Sequence, residues 1–241
     1  MNEQMYTTVR LYAAIAMALL EDAETDDIFE LELRFGSLGA HGRFDPGLPA
    51  GLWYALFEYM SRAPGVMVEA SFSMVERAED AEDERIVHTR DHQNCVRESK
   101  TPVKPRRDFS LFGTNASTVR VALSRECKLV TAYCLDCRPI DIPRFVMRAR
   151  ERRSIYLRDP SGQPSCWRFD FTRIDDRAGY ELEIELDPLV AMRYARELEL
   201  TQRCDSVMEQ LQSLLSSLRY ALEQADATHR RTVLAVAASR Q

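Results

Sequence analysis

The sequence predicts an α+β domain: a mostly antiparallel sheet rolled into a closed barrel, helices packed outside it, and a long helix at the C terminus. Three observations predict it. Seven strand-like runs fall before residue 190 with no helix-length insertions of the βαβ kind. Most of these runs sort by period-two alternation into an apolar face and a densely ionic one. At Pro188 the alternation stops and the spacing turns helical. With 241 residues and 45% apolar content the chain suits one domain, 1–241, with a real core. The expected division is an N-terminal helix (1–21), the barrel (28–187) and a C-terminal helical segment (189–239).

Met5, Val9, Leu11, Tyr12, Ile15, Leu19 and Leu20 recur at helical spacing and predict an amphipathic helix over 3–21. The acidic "EDAETDD" reads as a solvated turn. A first strand, 28–35, follows. The glycines and prolines of 36–51 predict a loop, and "LWYALFEYMSR" (52–62) a short helix burying aromatics. The remaining strands are expected at 66–75, 85–90, 118–126, 144–157, 166–174 and 180–187. The basic, proline-containing stretch 92–113 hides at most one further edge strand. From 189 to 224, Cys204, Val207, Leu211, Leu214, Leu218 and Leu222 lie near heptad spacing, which suits packing on the barrel, dimerisation or docking of a partner. Residues 228–239 read as a short helix or a frayed tail.

In the first strand Glu30, Glu32 and Arg34 share a face opposite Phe29, Leu31, Leu33 and Phe35. Arg120, Ala122, Ser124 and Glu126 oppose Val119, Val121 and Leu123. Arg148, Arg150, Arg152 and Ser154 lie together, as do Arg168, Asp170 and Thr172. Glu181, Glu183 and Glu185 oppose Tyr180, Leu182, Ile184 and Leu186. For any single strand, a charged face in water is a sufficient account. The set is different, because glutamates gather in two strands and arginines in others. Like charges on one face repel and call for a cation. Carboxylate oxygens suit hard divalent ions, and arginine forks suit phosphate. A closed barrel holding both would bind a metal-chelated polyphosphate and leave no sheet edge exposed.

The charge balance agrees with a local site rather than a basic surface. Net charge is −6, so the molecule as a whole does not attract nucleic acid. Of 32 basic residues only Lys100, Lys104 and Lys128 are lysines, a skew that codon bias explains as well as phosphate binding does. No secretory signal and no membrane-length apolar run is evident. The six cysteines are therefore expected as free thiols in a reducing, intracellular compartment. Cys134 and Cys137 form a lone CxxC without the second pair that a zinc site needs. His41, His88, His92 and His229 have no ligand spacing.

The paired strands "FELELRFG" and "YELEIEL" resemble the two glutamate strands of the triphosphate tunnel metalloenzymes. More narrowly, they resemble the metal-dependent mRNA 5′-triphosphatases of fungi, protozoa and large DNA viruses. The related inorganic-triphosphatase and adenylyl-cyclase branch has E-x-E-x-K, whereas Arg34 stands here. "RVALSRE" (120–126), "RARERRS" (148–154) and "WRFDFTRI" (167–174) resemble three further strands of that family, in the same order. Arg150 departs from the family's usual lysine.

The resemblance implies an eight-stranded antiparallel tunnel. It implies hydrolysis of the γ-phosphate of triphosphate-ended RNA, the first step of mRNA capping, with Mg²⁺ or Mn²⁺ and with NTPs as side substrates. Glu30, Glu32 and Glu185 would be the metal ligands, and Glu126 and Glu183 would orient the attacking water. Arg120, Arg150, Arg152 and Arg168 would clamp phosphate, with Arg34, Arg148, Arg90 and Lys100 as further phosphate contacts. Asp170 would hold an arginine. Ser124, Ser154, Thr172 and Glu181 would support the network. A guanylyltransferase or a second copy would meet the C-terminal helix, and a viral source, in the virion or in host cytoplasm or nucleus, fits the resemblance. No HCxxxxxR loop and no K-x-D-G motif occurs, so neither a cysteine phosphatase nor guanylyl transfer is indicated. An inorganic triphosphatase or NTPase on the same barrel, and a non-catalytic barrel acting as an interaction or virion protein, remain as alternatives. The basic stretch 97–107 reads either as an RNA contact or as a solvated loop.

Overall fold

The computed structural model describes residues 1–21, 28–39, 41–62, 65–78, 84–89, 95–110, 118–131, 145–158, 164–175, 179–187, 190–192 and 199–238. Side chains are described throughout these except at 74–78, 84–89, 95–97, 128–131, 145–148, 164 and 223–238. Arg90, the CxxC pair and His92 lie outside the described residues. Arg148 sits on a strand, but its side chain is not among those described.

The elements run α1 (Glu3–Glu21), β1 (Ile28–Leu38), β2 (Phe44–Asp45), α2 (Ala50–Ser61), β3 (Met67–Ala78), β4 (Glu84–Thr89), β5 (Cys95–Ser110), β6 (Thr118–Thr131), β7 (Phe145–Arg158), β8 (Pro164–Ile174), β9 (Gly179–Leu186) and α3 (Leu200–Ala238). Eight long strands form one antiparallel sheet in the order β1-β6-β5-β4-β3-β7-β8-β9, and β2 adds a short piece to the end of β1. β1 pairs with β6 over Ile28–Gly36 and, over Leu31–Arg34, also with β9.

Three expectations change here. β5 is an inner strand over Cys95–Ser99, where it pairs with β4 on one side and β6 on the other, and runs on from Lys100 to Ser110 paired with β6 alone. Its prolines lie in this one-sided part, where the register with β6 also shifts between Pro102 and Lys104 and again between Lys104 and Arg107. A bulge is where a residue without an N–H can sit inside a sheet. The loop expected over 36–51 contains β2, because β1 runs three residues further than its alternation suggested. Gly36 permits this: a Cβ there would meet the Asp45 carbonyl oxygen at 2.1 Å. Finally, the piece at 228–239 continues α3 to Ala238 rather than forming a separate short helix.

The core lies between the sheet's apolar face and the three helices. Leu31, Leu33, Val121, Trp167, Phe169 and Ile184 of the sheet are buried there, with Met5 and Val9 of α1, Trp53 of α2 and Met208 and Leu211 of α3. Indole N–H groups tie two helices to the strands. Trp167 Nε1 donates to the Val207 carbonyl at 2.8 Å, and Trp53 Nε1 donates to the Glu181 carbonyl at 3.0 Å. The Gln210 side-chain oxygen accepts from the backbone N–H of Cys166 at 3.0 Å. Arg10 of α1 pairs with Asp205 of α3 at 2.7 Å. The heptad-like stripe of α3 is thus used within the chain. Cys204, Val207, Leu211, Leu214 and Leu218 are all buried. Cys127, Cys166 and Cys204 are free thiols.

If α3 docks through this stripe, Leu211→Ala lowers stability by about 2–5 kcal/mol. Gln212→Ala, on the exposed side of the same turn, stays within about 0.5 kcal/mol. Urea midpoints for the two variants decide this, and equal losses would contradict the docking.

Candidate functional site

Alternation turns the other face of each strand into a common interior, and the register fixes which charges meet. Glu32 stands opposite Glu185 and Arg34 opposite Glu183 across β1 and β9. Asp170 faces Glu183 across β8 and β9, and Ser154 across β7 and β8. Lys100 of β5 stands opposite Glu126 of β6.

These groups form a chain of alternating charge. Asp170, with no exposed surface, accepts a hydrogen bond from Ser154 Oγ at 2.6 Å. It also pairs with Arg152 Nη1 at 2.9 Å and Arg168 Nε at 3.2 Å. Arg152 reaches on to Glu183 at 3.4 Å and Arg168 to Glu185 at 2.6 Å. Arg34 Nη2 lies 2.5 Å from Glu183 Oε1 and 3.3 Å from Glu32. Lys100 pairs with Glu30, and its Nζ lies 3.9 Å from Glu32 and 4.0 Å from Glu126. Arg150 acts on Glu181 and Glu183 through its charge.

The structure therefore gathers Glu30, Glu32, Arg34, Lys100, Glu126, Arg150, Arg152, Ser154, Arg168, Asp170, Glu181, Glu183 and Glu185. Ser124 stands opposite Glu30. Thr172 is buried among the same strands with its Oγ1 unpartnered. Arg120 is placed elsewhere. It is held bidentate by Asp108 at 2.8 Å and 2.8 Å, with its guanidinium 4.3 Å over the Phe44 ring, beside β2. Two participants were not anticipated. Asp108 and Glu98 both lie on β5, the strand that the prolines concealed. Glu98 is buried at 9% exposure two residues before Lys100, so it shares that residue's face.

The carboxylates divide into two kinds. Burial pushes Glu183 up, but the Arg34 and Arg152 guanidiniums outweigh it and hold the acid well below the ordinary carboxylate range. Glu32 and Glu185 stand above that range, through burial first and then through neighbouring carboxylates, Glu183 for Glu32 and Glu30 for Glu185. Glu181 is raised by burial and by Glu183. Arg34, Arg152 and Arg168 stay charged: burial opposes their charge, and the surrounding carboxylates prevail.

Among the described residues no three His, Cys, Asp or Glu side chains already converge in ligand geometry. The donor set nevertheless suits a hard divalent ion. It consists of carboxylate oxygens only, Glu30, Glu32 and Glu185 repel one another or a shared neighbour, and buried Glu183 Oε1 has no aligned hydrogen-bond donor.

Comparison with solved structures finds this fold elsewhere. The Pct1 RNA triphosphatase of S. pombe overlays with a TM-score of 0.61 over 92% of this chain and 93% of its own, at 13% identity. The same enzyme in complex with the Spt5 CTD overlays at 0.57, covering 89% and 91%, again at 13% identity. The chain is thus similar in fold to an RNA triphosphatase along nearly its whole length, the relationship that the glutamate and arginine strands suggested. No protein-family model and no curated protein matches the sequence.

Two outcomes follow from the network. Asp170→Ala leaves two buried arginines short of a counter-charge and lowers stability by about 3–5 kcal/mol in chemical denaturation. A loss below about 1 kcal/mol would show that the pairs are not formed. The pH dependence has two limbs. A raised native pKa costs stability above it, and the cost is relieved as pH falls toward the unfolded value, about 4.3 for glutamate. Glu32, Glu181 and Glu185 therefore make the metal-free protein more stable as pH falls from neutral into the mildly acid range. Glu183 works the other way: its contribution is complete above the ordinary range and is lost below it. Thermal unfolding in chelator should show a mildly acid maximum. A Tm that rises steadily to alkaline pH would contradict this assignment.

Proposed function

We propose that the eight strands close round a tunnel, and that this tunnel removes the γ-phosphate from triphosphate-ended RNA with the help of a divalent cation. The observation that carries the reading is the meeting of Glu32 with Glu185 and of Arg34 with Glu183 in one buried register, flanked by Arg152 and Arg168. Carboxylates that repel and arginines that remain charged, on one interior face, match a cation and a polyphosphate bound together.

Glu30, Glu32 and Glu185 would hold Mg²⁺ or Mn²⁺, and the ion when bound neutralises charge on the phosphate oxygens and polarises the γ-phosphorus. The chain's own groups do the rest. Arg34, Arg150, Arg152, Arg168 and Lys100 bind the non-bridging oxygens and stabilise the charge that develops during transfer. Asp170 and Ser154 fix Arg152 and Arg168, so these donors need not reorganise when substrate arrives. Glu183 stays ionised and accepts a hydrogen bond from the attacking water, orienting it in line with the leaving oxygen. Glu126, beside Lys100, is the second candidate for that task. Water oxygen bonds to the γ-phosphorus, the bond to the bridging oxygen breaks, and the water's proton leaves. Orthophosphate and diphosphate-ended RNA result, as in the opening step of mRNA capping. Arg120 would bind at the tunnel's end rather than at the γ-phosphate.

Pct1 binds the Spt5 CTD, so a partner surface is in keeping with the fold. A guanylyltransferase or a second copy would have to use the outer side of α3, where Tyr220 is 51% exposed, because the apolar stripe is already covered.

The test is phosphate release from γ-labelled triphosphate RNA, ATP and tripolyphosphate, with and without Mg²⁺ or Mn²⁺. Release should need the ion, and Glu32→Ala should lower it by about 10²–10³. Calorimetric titration should show divalent-ion binding that Glu32→Ala abolishes. Ion-independent release, or none from any substrate, would refute the reading. A preference for tripolyphosphate over RNA would reassign the substrate.

A further inference from the structure

The bulged part of β5 has no role in the interior described above. Two bulges, around Pro102 and between Lys104 and Arg107, break its alternation. Residues 104–108 are all exposed, and β5 is paired there with β6 only, its pairing with β4 covering Cys95–Ser99. Lys104, Arg106 and Arg107 fall in this short run. None of the three makes an ion pair or a side-chain hydrogen bond among the described residues. That sets them apart from the interior cations, such as Arg34, Arg152 and Arg168, each of which has a carboxylate partner.

A fourth unpaired cation lies in the same neighbourhood. Asp108, the residue after Arg107, grips Arg120 bidentately, and Arg120 covers the Phe44 ring. Arg43, exposed and with no ion-pair partner among the described residues, directly precedes Phe44. The Asp108–Arg120–Phe44 stack therefore ties the β5 bulge to the short β2, with Arg107 and Arg43 as the chain neighbours of Asp108 and Phe44. Of the acids there, Asp108 is spent on Arg120, and Asp45 accepts a hydrogen bond from the Gly47 N–H. In a molecule of net charge −6, this is a local excess of positive charge.

Register places the patch relative to the interior. Arg120 pairs across the sheet with Arg34 on one side and Asp108 on the other. Lys104 and Arg107 stand opposite Leu123 and Val121, on the outer face of the sheet, at the level where Arg34 meets Glu183 and on the side where β1 ends in Gly36–Leu38. We propose that Arg43, Lys104, Arg106 and Arg107 bind the phosphodiester backbone of the RNA that trails the triphosphate out of the interior. This rests on the triphosphatase reading and deepens it: the patch makes the substrate RNA rather than a free nucleotide or tripolyphosphate. Contacts of this kind are sequence-independent and steeply weakened by salt.

The experiment uses the full chain and the triple variant K104A/R106A/R107A, with R43A as a second variant. None of these residues belongs to the interior network, so the thermal midpoint should be unchanged. For a 20-nucleotide triphosphate RNA the triple variant should raise KM about tenfold at low salt, with kcat retained, and lower the log–log salt slope of binding by about 2. R43A should shift KM in the same direction, to a smaller extent. Kinetics on tripolyphosphate should not change. Equal shifts on RNA and tripolyphosphate, or no shift on either, would overturn the proposal. Should the wild-type chain release phosphate from no substrate, the catalytic reading fails by itself. The patch is then judged by fluorescence anisotropy with the same RNA, where unchanged affinity in the triple variant overturns it and weakened affinity with a reduced salt slope upholds it.

Discussion

Much of the interior depends on a single carboxylate. Asp170 has no solvent contact, and an isolated ion in that position would cost several kcal/mol. Ser154, Arg152 and Arg168 satisfy it together. Each arginine then has donors left over, and these reach Glu183 and Glu185 on β9. From Glu183 the chain of opposite charges continues through Arg34 to Glu32, and through Lys100 to Glu30 and Glu126. Six strands are thereby linked by side chains as well as by backbone. Removing one member leaves its neighbours buried and unmatched, which is why such a network is either complete or costly.

The two faces of the sheet do different work. Apolar burial, the main favourable term in folding, is confined to the layer between sheet and helices, where Trp167, Phe169 and Leu211 are fully enclosed. The ionic face contributes little net stability, because desolvation offsets most of the attraction between its charges. What it supplies is fixed position. A guanidinium held by Asp170, which Ser154 orients in turn, is positioned before a ligand arrives, and preorganised donors of this sort stabilise developing charge most effectively.

The paired glutamate strands were legible in the sequence for a simple reason. A strand alternates with period two, and "FELELRFG" and "YELEIEL" display that period without interruption. The long helix was legible from its spacing, and its buried stripe from Cys204 to Leu218 follows the same positions. β5 was legible only as a further edge strand somewhere in 92–113, because Pro102, Pro105 and two bulges destroy the alternation that would fix its register. What depends on the register of β5 was lost with it: the burial of Glu98 and the Asp108 that draws Arg120 toward β2, while Lys100 was expected at the site but as a phosphate contact rather than as the partner of Glu30. Alternation also says which residues share a face but not how strands are ordered. The meeting of β1 with β9, and hence of Glu32 with Glu185, needed long-range pairing that no local pattern encodes.

The balance of charge inside bears on what the interior can accept. Among the described side chains, Glu30, Glu32, Glu126, Asp170, Glu181, Glu183 and Glu185 outnumber Arg34, Lys100, Arg150, Arg152 and Arg168. A bare triphosphate would add negative charge to a wall already in deficit of cations. A bare divalent ion would relieve Glu32 and Glu185 but would find the arginines still turned toward carboxylates. The two together suit the wall better than either alone. On the proposed reading the ion would take Glu32 and Glu185, whose pKa values are raised, and the phosphates would take cations that its arrival frees from those glutamates. Glu183, held ionised by Arg34 and Arg152, and Asp170, fully buried beside Arg152 and Arg168, would keep their partners. Exchange is therefore concentrated at Glu30, Glu32 and Glu185, where Lys100 and Arg168 are the cations to be released. On the proposed reading, cation and polyphosphate bind interdependently because each removes the charge that opposes the other.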